Sequence, residues 1–172
     1  IGEKMKKIIP ILFIFFLIYG YVNKEEILIP SDAIRFRIIA NSNDLQDQEL
    51  KMKIKDAVEE ELNRLMMNAK NSQEAKEIIT ENLTNIEKIV NEYTPNSKIS
   101  FGLNYFPEKV YHGVTYESGE YESLVITLGT GTGNNWWCVM FPPLCLLEGK
   151  ETETDDVEYK FYVQEIIDQF YS

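Results

Sequence analysis

Two cysteines and a run of alternating glycines are the residues whose types and spacing could do chemistry in this sequence. They share one stretch, GTGTGNNWWCVMFPPLC, which begins at Gly129 and ends at Cys145. A thiolate is a nucleophile and a metal ligand, and closely spaced glycines let backbone N–H groups approach a phosphate. The stretch therefore raises four hypotheses: a phosphate loop, a thiol active site, a metal site, or a rigid element that another protein recognises.

The glycines argue against a phosphate loop. A phosphate cradle needs N–H groups at the start of a helix, usually with a lysine, whereas Gly129, Gly131 and Gly133 lead into two tryptophans and a strand. A glycine-rich hairpin loop that bends the backbone against the tryptophans is the favoured interpretation. Two cysteines and one histidine also fall short of four structural zinc ligands, so we expect neither a metal nor a cofactor.

The spacing of the cysteines favours a disulfide. Cys138 could be a nucleophile with His112 as its base, but it lies in an apolar run without a basic neighbour, where a thiolate is disfavoured. Cys145 follows seven positions later, and the Pro-Pro pair between them can reverse the chain so that the sulfurs meet. Two buried free thiols are the alternative to the disulfide, and a thiol-dependent hydrolase with Cys138 and His112 as its pair is the rival function.

The charge and the N-terminus bear on partners and compartment. The 172 residues carry a formal charge of −11, and phosphate backbones repel so acidic a chain, so we expect no nucleic-acid partner. Three lysines precede the apolar run from Ile8 to Val22, which is typical of an export signal and short for a spanning helix. No small-x-small cleavage site follows, so an uncleaved membrane anchor is the alternative. We expect a signal or anchor at 1–23, a tether at 24–33 and one exported domain at 34–172.

The pattern of the exported part predicts an α+β fold: an N-terminal strand and helix pair, then a mainly antiparallel sheet and a C-terminal helix. The first strand, Ile34 to Ala40, sets apolar residues on one face and two arginines on the other, as in a half-buried strand. The first helix is expected to begin after Asp44 and to end near Asn68, and the second to be capped by Ser72 and to end before Pro95.

Alternation with a period of two predicts the strands that follow. The segment 98–106 places Ile99, Phe101, Leu103 and Tyr105 on one apolar face. Further strands are expected at 109–115, 120–128 and 136–141, and the last is expected to be central because it is wholly apolar. An acidic loop at 148–158 leads to the final helix.

Four ordered motifs resemble the stage II sporulation protein R family. They are IRFRIIANSND-x-x-DQ-x-LK (34–51), FPEKVY (106–111), GEYESL (119–124) and G-x-G-x-G-x-NWWCVMFPPLC (129–145). The resemblance implies a signalling protein rather than an enzyme. Such proteins are made in the forespore, are exported into the space between the forespore and mother-cell membranes, and trigger a membrane-embedded aspartic protease. That protease then removes the pro-sequence of sigma factor E.

The resemblance also suggests which side chains contact the protease. Arginine and tryptophan are frequent interface hot spots, and adjacent tryptophans point to opposite sides of a strand, so one of them is a candidate exposed anchor. A cell-wall glycan-binding module that uses an exposed tryptophan is a further alternative. The candidate contacts are Arg35, Arg37, Asn41, Asp47, Gln48, Tyr111, Asn135, Trp136 and Trp137, together with the Cys138–Cys145 ring.

Overall fold

The computed structural model describes residues 27–145 and 156–171, so the expected signal or anchor at 1–23 lies outside the described residues. None of the helices within 27–145 and 156–171 is long and apolar enough to span a membrane. The elements confirm the α+β class. In chain order they are β1 (Ile27–Leu28), β2 (Ile34–Ile39), α1 (Leu45–Met66), α2 (Ser72–Asn91), β3 (Ser97–Phe106), β4 (Lys109–Tyr111), β5 (Val114–Tyr116), β6 (Gly119–Leu128), β7 (Asn135–Phe141) and α3 (Asp156–Tyr171).

The strands form two mixed sheets. The larger has the order β3-β6-β2-β7 and the smaller the order β1-β5-β4. Three of the five pairings in the described part of the chain are antiparallel, while β2–β6 and β1–β5 are parallel. The expectation that 136–141 is central is wrong, because β7 lies at the edge of its sheet and β2 lies between β6 and β7. Residues 136–141 are apolar because a hydrophobic cluster covers each face of β7, not because the strand has two neighbours.

Two hydrophobic clusters cover the two faces of the larger sheet. On one face Phe36 and Ile38 pack with residues of α1 and α2 such as Ile54 and Ile79. On the other face Val139 packs with residues of the small sheet and of α3. The helix-side face of β2 is buried, and on the other face Arg35 is buried while Arg37 and Ile39 are half-buried. Because Phe36 and Ile38 face α1 and α2, Arg35 and Arg37 lie on the opposite face of β2.

Several local boundaries differ from the expectation. Asn71, not Ser72, caps α2, and its side-chain oxygen accepts a hydrogen bond from the backbone N–H of Glu74 at 2.9 Å. The strand expected at 109–115 is split into β4 and β5 because His112 (φ 47°) and Gly113 (φ 71°) form a left-handed turn. Such a turn reverses the chain within two residues.

The segment expected to be a tether contributes to the fold where the structure describes it. Residues 27–28 pair with β5, and Ile29 and Ala33 are only 2% and 1% exposed. The expected acidic loop falls mostly outside the described residues, and α3 already begins at Asp156.

The apolar face expected along β3 ends halfway. Ile99 and Phe101 pack against the helix-side cluster, whereas Leu103 and Tyr105 are 65% and 62% exposed. Their neighbours across the ladder on β6 are Glu122 and Glu120, which stay at the surface. The core therefore stops at Phe101.

Candidate partner-binding surface

Arg35 and Arg37 hold the segment that carries the small sheet against β2. Nη2 of Arg35 donates to the carbonyl oxygen of Glu117 at 3.1 Å, and Nη2 of Arg37 donates to that of Tyr105 at 2.7 Å. These two carbonyls lie at either end of 105–117, the segment that contains β4 and β5. We call the two side chains the arginine clasp.

Aromatic rings take the place of water around the clasp. The guanidinium carbon of Arg35 lies 3.7 Å from the ring centroid of Tyr121 and 5.0 Å from that of Phe106, and the guanidinium carbon of Arg37 lies 4.0 Å from that of Phe106. Burial lowers the pKa of both arginines, although a guanidinium stays charged at any pH at which the protein folds. The rings therefore supply part of the stabilisation that the lost hydration supplied.

The clasp is incompletely partnered. Within the described residues, Nε and Nη1 of Arg35 and Nε of Arg37 are buried without a hydrogen-bond partner, and neither arginine has an ion pair. Because Arg35 is 0% exposed, a partner cannot touch it without displacing the surrounding rings. We therefore assign Arg35 a positioning role inside the domain.

Trp137 and Tyr111 lie on the same side of the sheet as the clasp. Nζ of Lys109 lies 4.9 Å from the ring centroid of Trp137 and 5.3 Å from that of Tyr111, so one lysine bridges both rings. Trp137 also meets the ring of Phe106 edge-on at 6.0 Å. Sequence reasoning missed Lys109 and Phe106, although both belong to the FPEKVY motif that it singled out.

Trp136 points to the opposite face, as predicted for adjacent residues of a strand. Its ring packs edge-on against Phe36 at 5.8 Å, and Nζ of Lys55 lies 4.9 Å from its centroid. Both tryptophans are half-buried and pack against the two hydrophobic clusters. Neither is the fully exposed aromatic anchor that the sequence suggested.

Asn41, Asp47 and Gln48 are tied into one network at the start of α1. Asp47 accepts hydrogen bonds from Nδ2 of Asn41 at 2.8 Å and from Oγ of Ser42 at 2.6 Å, and these bonds, that of Ser42 first, lower the pKa of Asp47. Gln48 donates through Nε2 to the carbonyl of Ser42 at 2.8 Å. Asp44 is the N-cap residue of α1, but its side chain makes no capping hydrogen bond.

The glycine-rich loop docks onto this network. Oδ1 of Asn41 accepts from the backbone N–H of Thr130 at 2.9 Å, and Gly133 donates to the carbonyl of Ala40 at 3.0 Å. A Cβ on Gly129 would lie 2.2 Å from Oδ1 of Asn41, and one on Gly133 would lie 2.2 Å from the carbonyl oxygen of Ser42. We call this interlock of 41–48 with 129–134 the loop knot.

The loop knot corrects the interpretation of the glycines. β6 and β7 are not neighbours, so 129–134 is not a hairpin loop but a connection that crosses the end of β2. The glycines allow close approach to Asn41 and Ser42 rather than a bend against the tryptophans. Asn135 follows at once, exposed and opposite Ile39. Lys51, which sequence reasoning missed, is 5% exposed and donates to Gln48 and to the carbonyl of Asn134.

The cysteines form the expected disulfide. Cys138 and Cys145 are bonded, with their Cα atoms 5.3 Å apart, so the free-thiol alternative is wrong. His112 is not near Cys138: its Nδ1 lies 2.6 Å from Oδ1 of Asp156, and its ring packs on Tyr159 in the other hydrophobic cluster. The proposed Cys–His pair therefore does not exist. Across the described ranges no group of three or more His, Cys, Asp or Glu is placed to hold a metal ion.

Three exposed apolar side chains lie on β3 and β4, near the segment that the clasp holds. Leu103, Tyr105 and Val110 are 65%, 62% and 61% exposed, and Lys109 precedes Val110 in β4. We call these four residues the β3–β4 surface. Single exposed apolar side chains are ordinary, but three on one short segment indicate a contact site.

Comparisons with known proteins agree with one another. The family model described as stage II sporulation protein R matches residues 30–151. Stage II sporulation protein R of Bacillus subtilis (strain 168) is 41% identical over 161 residues, covering 83% of this chain and 72% of the relative. No solved structure matches the chain.

Proposed function

The chain belongs to the stage II sporulation protein R family, which indicates a role in sporulation, and from this premise we propose that it is an exported forespore signal. Its receptor would be the membrane-embedded aspartic protease that removes the pro-sequence of sigma factor E. It would act in the space between the forespore and mother-cell membranes, held on the membrane by its N-terminal segment where that segment is not cleaved.

The β3–β4 surface is the observation that carries this proposal. The motif residues with the most reactive side chains are engaged inside the domain: the cysteines in a disulfide, the arginines in the clasp, Asp47 in the loop knot. The exposed apolar side chains Leu103, Tyr105 and Val110 lie on or next to the segment 105–117, whose two ends the clasp holds. Such a surface suits recognition by another protein, because preorganised contacts cost less ordering on binding.

Reconstitution tests the proposal. The full chain is added to vesicles that carry the protease and its pro-sigma substrate, and cleavage is followed with time. We expect cleavage with the wild type, loss of cleavage with Val110→Asp, and retention with Met67→Asp, which places the same charge at the 86% exposed C-cap residue of α1. If the wild type triggers no cleavage, the proposed function is wrong.

Two matched measurements address the alternatives. A thiol-dependent hydrolase requires Cys138, so Cys138→Ser that folds and still triggers cleavage argues against it. A glycan-binding module requires retention on isolated peptidoglycan, which a pull-down of the full chain measures directly.

A further inference from the structure

Among residues 27–145 and 156–171, no strand pairs with the outer edge of β3. β3 has ten residues and pairs on one side only, with β6. At the end of this ladder the N–H of Gly129 donates to the carbonyl of Asn96 at 2.8 Å. Because antiparallel pairs alternate, the backbone groups of Lys98, Ser100 and Gly102 point towards β6. Those of Ile99, Phe101 and Leu103 then point outwards.

These outward groups are free in the described part of the chain. No described backbone group outside the β3–β6 ladder bonds to Ile99, Phe101 or Leu103. The carbonyl of Tyr105, which has the same outward parity, is taken by Arg37 and so marks where the open edge ends. Proteins protect such edges with prolines, bulges or charges, and within this strand only Lys98 is charged.

An acidic groove lies along α2 on the helix side of the larger sheet and reaches β3 at Leu103. Two adjoining clefts, of about 200 and 230 Å³, lie along α2 and share Gln73 and Lys76. Leu103 lines the first of them. Carboxylates outnumber the single lysine of the lining five to one; they are Asp32, Glu77, Glu81, Glu120 and Glu122. Only Glu122 forms an ion pair in the described residues, with Lys76.

We propose that the outer edge of β3 binds an extended, basic segment of the partner protein, which adds a strand to the larger sheet at Ile99–Leu103. Its backbone would pair with the outward N–H and C=O groups, alternate apolar side chains would cover Leu103 and Tyr105, and basic side chains would meet Glu77, Glu81 and Glu120. A second copy of this chain fits less well, because it would bring a like-charged groove and a net charge of −11 to the same edge.

This inference rests on the proposed function for the identity of the partner, and an edge-blocking variant tests it. Leu103→Pro removes one outward N–H and no ladder hydrogen bond, so β3 can still pair with β6. Leu103→Thr is the matched control, since it removes the apolar side chain and keeps the N–H. A second pair of variants tests the groove charge: Glu120→Lys reverses a charge in the groove, and Glu60→Lys reverses one at an exposed position on α1 as its control. Thermal melting shows that each variant is folded.

The readouts are binding of each full-length variant to vesicles that carry the protease, and hydrogen exchange of the β3 amides. We expect Leu103→Thr to bind more weakly than the wild type, because it loses the apolar contact, and Leu103→Pro to bind at least about tenfold more weakly than Leu103→Thr, because it also loses the outward N–H. Glu120→Lys should weaken binding, whereas Glu60→Lys should not. The outward amides of Ile99 and Phe101 should become protected from exchange when the vesicles are added.

The results separate failure of the inference from failure of the function. A wild type that binds and triggers cleavage while Leu103→Pro and Glu120→Lys match it would overturn edge pairing and leave the proposed function intact. A wild type that dimerises in light scattering, with Leu103→Pro monomeric, would assign the edge to a second copy and also overturn the inference. A wild type that neither binds nor triggers cleavage contradicts the function on which the inference rests.

Discussion

Replacing Arg35 by an apolar side chain of similar length should cost the fold almost nothing. Arg35→Met loses one hydrogen bond from a charged donor, about 1.5–3 kcal/mol, and the contact with the Tyr121 ring, about 2 kcal/mol. Against this, the wild type bears the cost of burying a charge without a described ion pair, several kcal/mol, and of burying two unpartnered nitrogens, about 1–3 kcal/mol each, and Met removes both costs. The free energy of unfolding should therefore stay within about 1 kcal/mol of the wild type or rise.

Arg35→Ala removes the same charge but leaves a cavity among the rings. By analogy with other large-to-small substitutions in cores, it should cost about 3–5 kcal/mol. At about 3 °C per kcal/mol for a domain of this size, Ala should melt roughly 10–15 °C below the wild type. The assay is thermal unfolding by circular dichroism, with Arg64→Met at an exposed arginine of α1 as a control expected to change stability by less than about 1 kcal/mol. If Met is as damaging as Ala, the charge rather than the volume of Arg35 holds the clasp, and the reasoning is refuted.

Three further stability predictions concern the loop knot and the disulfide. Gly133→Ala should destabilise by about 1–3 kcal/mol or more in denaturant melts, because its Cβ would overlap the carbonyl of Ser42; an unchanged midpoint contradicts the close approach. Reducing the disulfide, or Cys138→Ser with Cys145→Ser, should cost about 2–3 kcal/mol, and a melt insensitive to reductant argues against the bond. Hydrogen bonds hold the pKa of Asp47 below its unfolded value, so their stabilisation is present above about pH 4 and lost as the pH falls through the lowered pKa. Asp47→Asn should therefore flatten the acid side of the stability profile, and an unchanged profile contradicts this.

The sequence predicted those features that depend on local pattern. The alternation around Arg35 and Arg37 placed β2 and its two faces, and helical spacing placed α1 and α2 to within a few residues. The separation of Cys138 and Cys145 around a Pro-Pro pair indicated the disulfide. In each case the residues that form the pattern lie within about twenty residues of the strand, helix or disulfide that the pattern predicts.

What the sequence did not reveal depends on distant contacts. Nothing near β7 shows that β2 separates it from β6, so the glycine connection was taken for a hairpin. The apolar alternation of β3 continues past Phe101, but the core does not, because the limit is set by glutamates on β6. The sequence predicts Arg35 and Arg37 as partner contacts because arginine is a frequent interface hot spot, whereas in the structure the rings of Phe106 and Tyr121 pack against the two guanidinium groups.

The position of β2 between β6 and β7 determines when a newly made chain can complete its larger sheet. β2 lies near the start of the domain, yet both of its neighbours, β6 and β7, come from the far end. In a chain that emerges amino end first from a ribosome or a translocon, α1 and α2 can form early, but the sheet cannot close until Phe141 has emerged. β3 likewise has no partner before β6 arrives. A chain truncated before Phe141 therefore cannot complete the larger sheet, and one truncated before β6 leaves β3 without its partner strand.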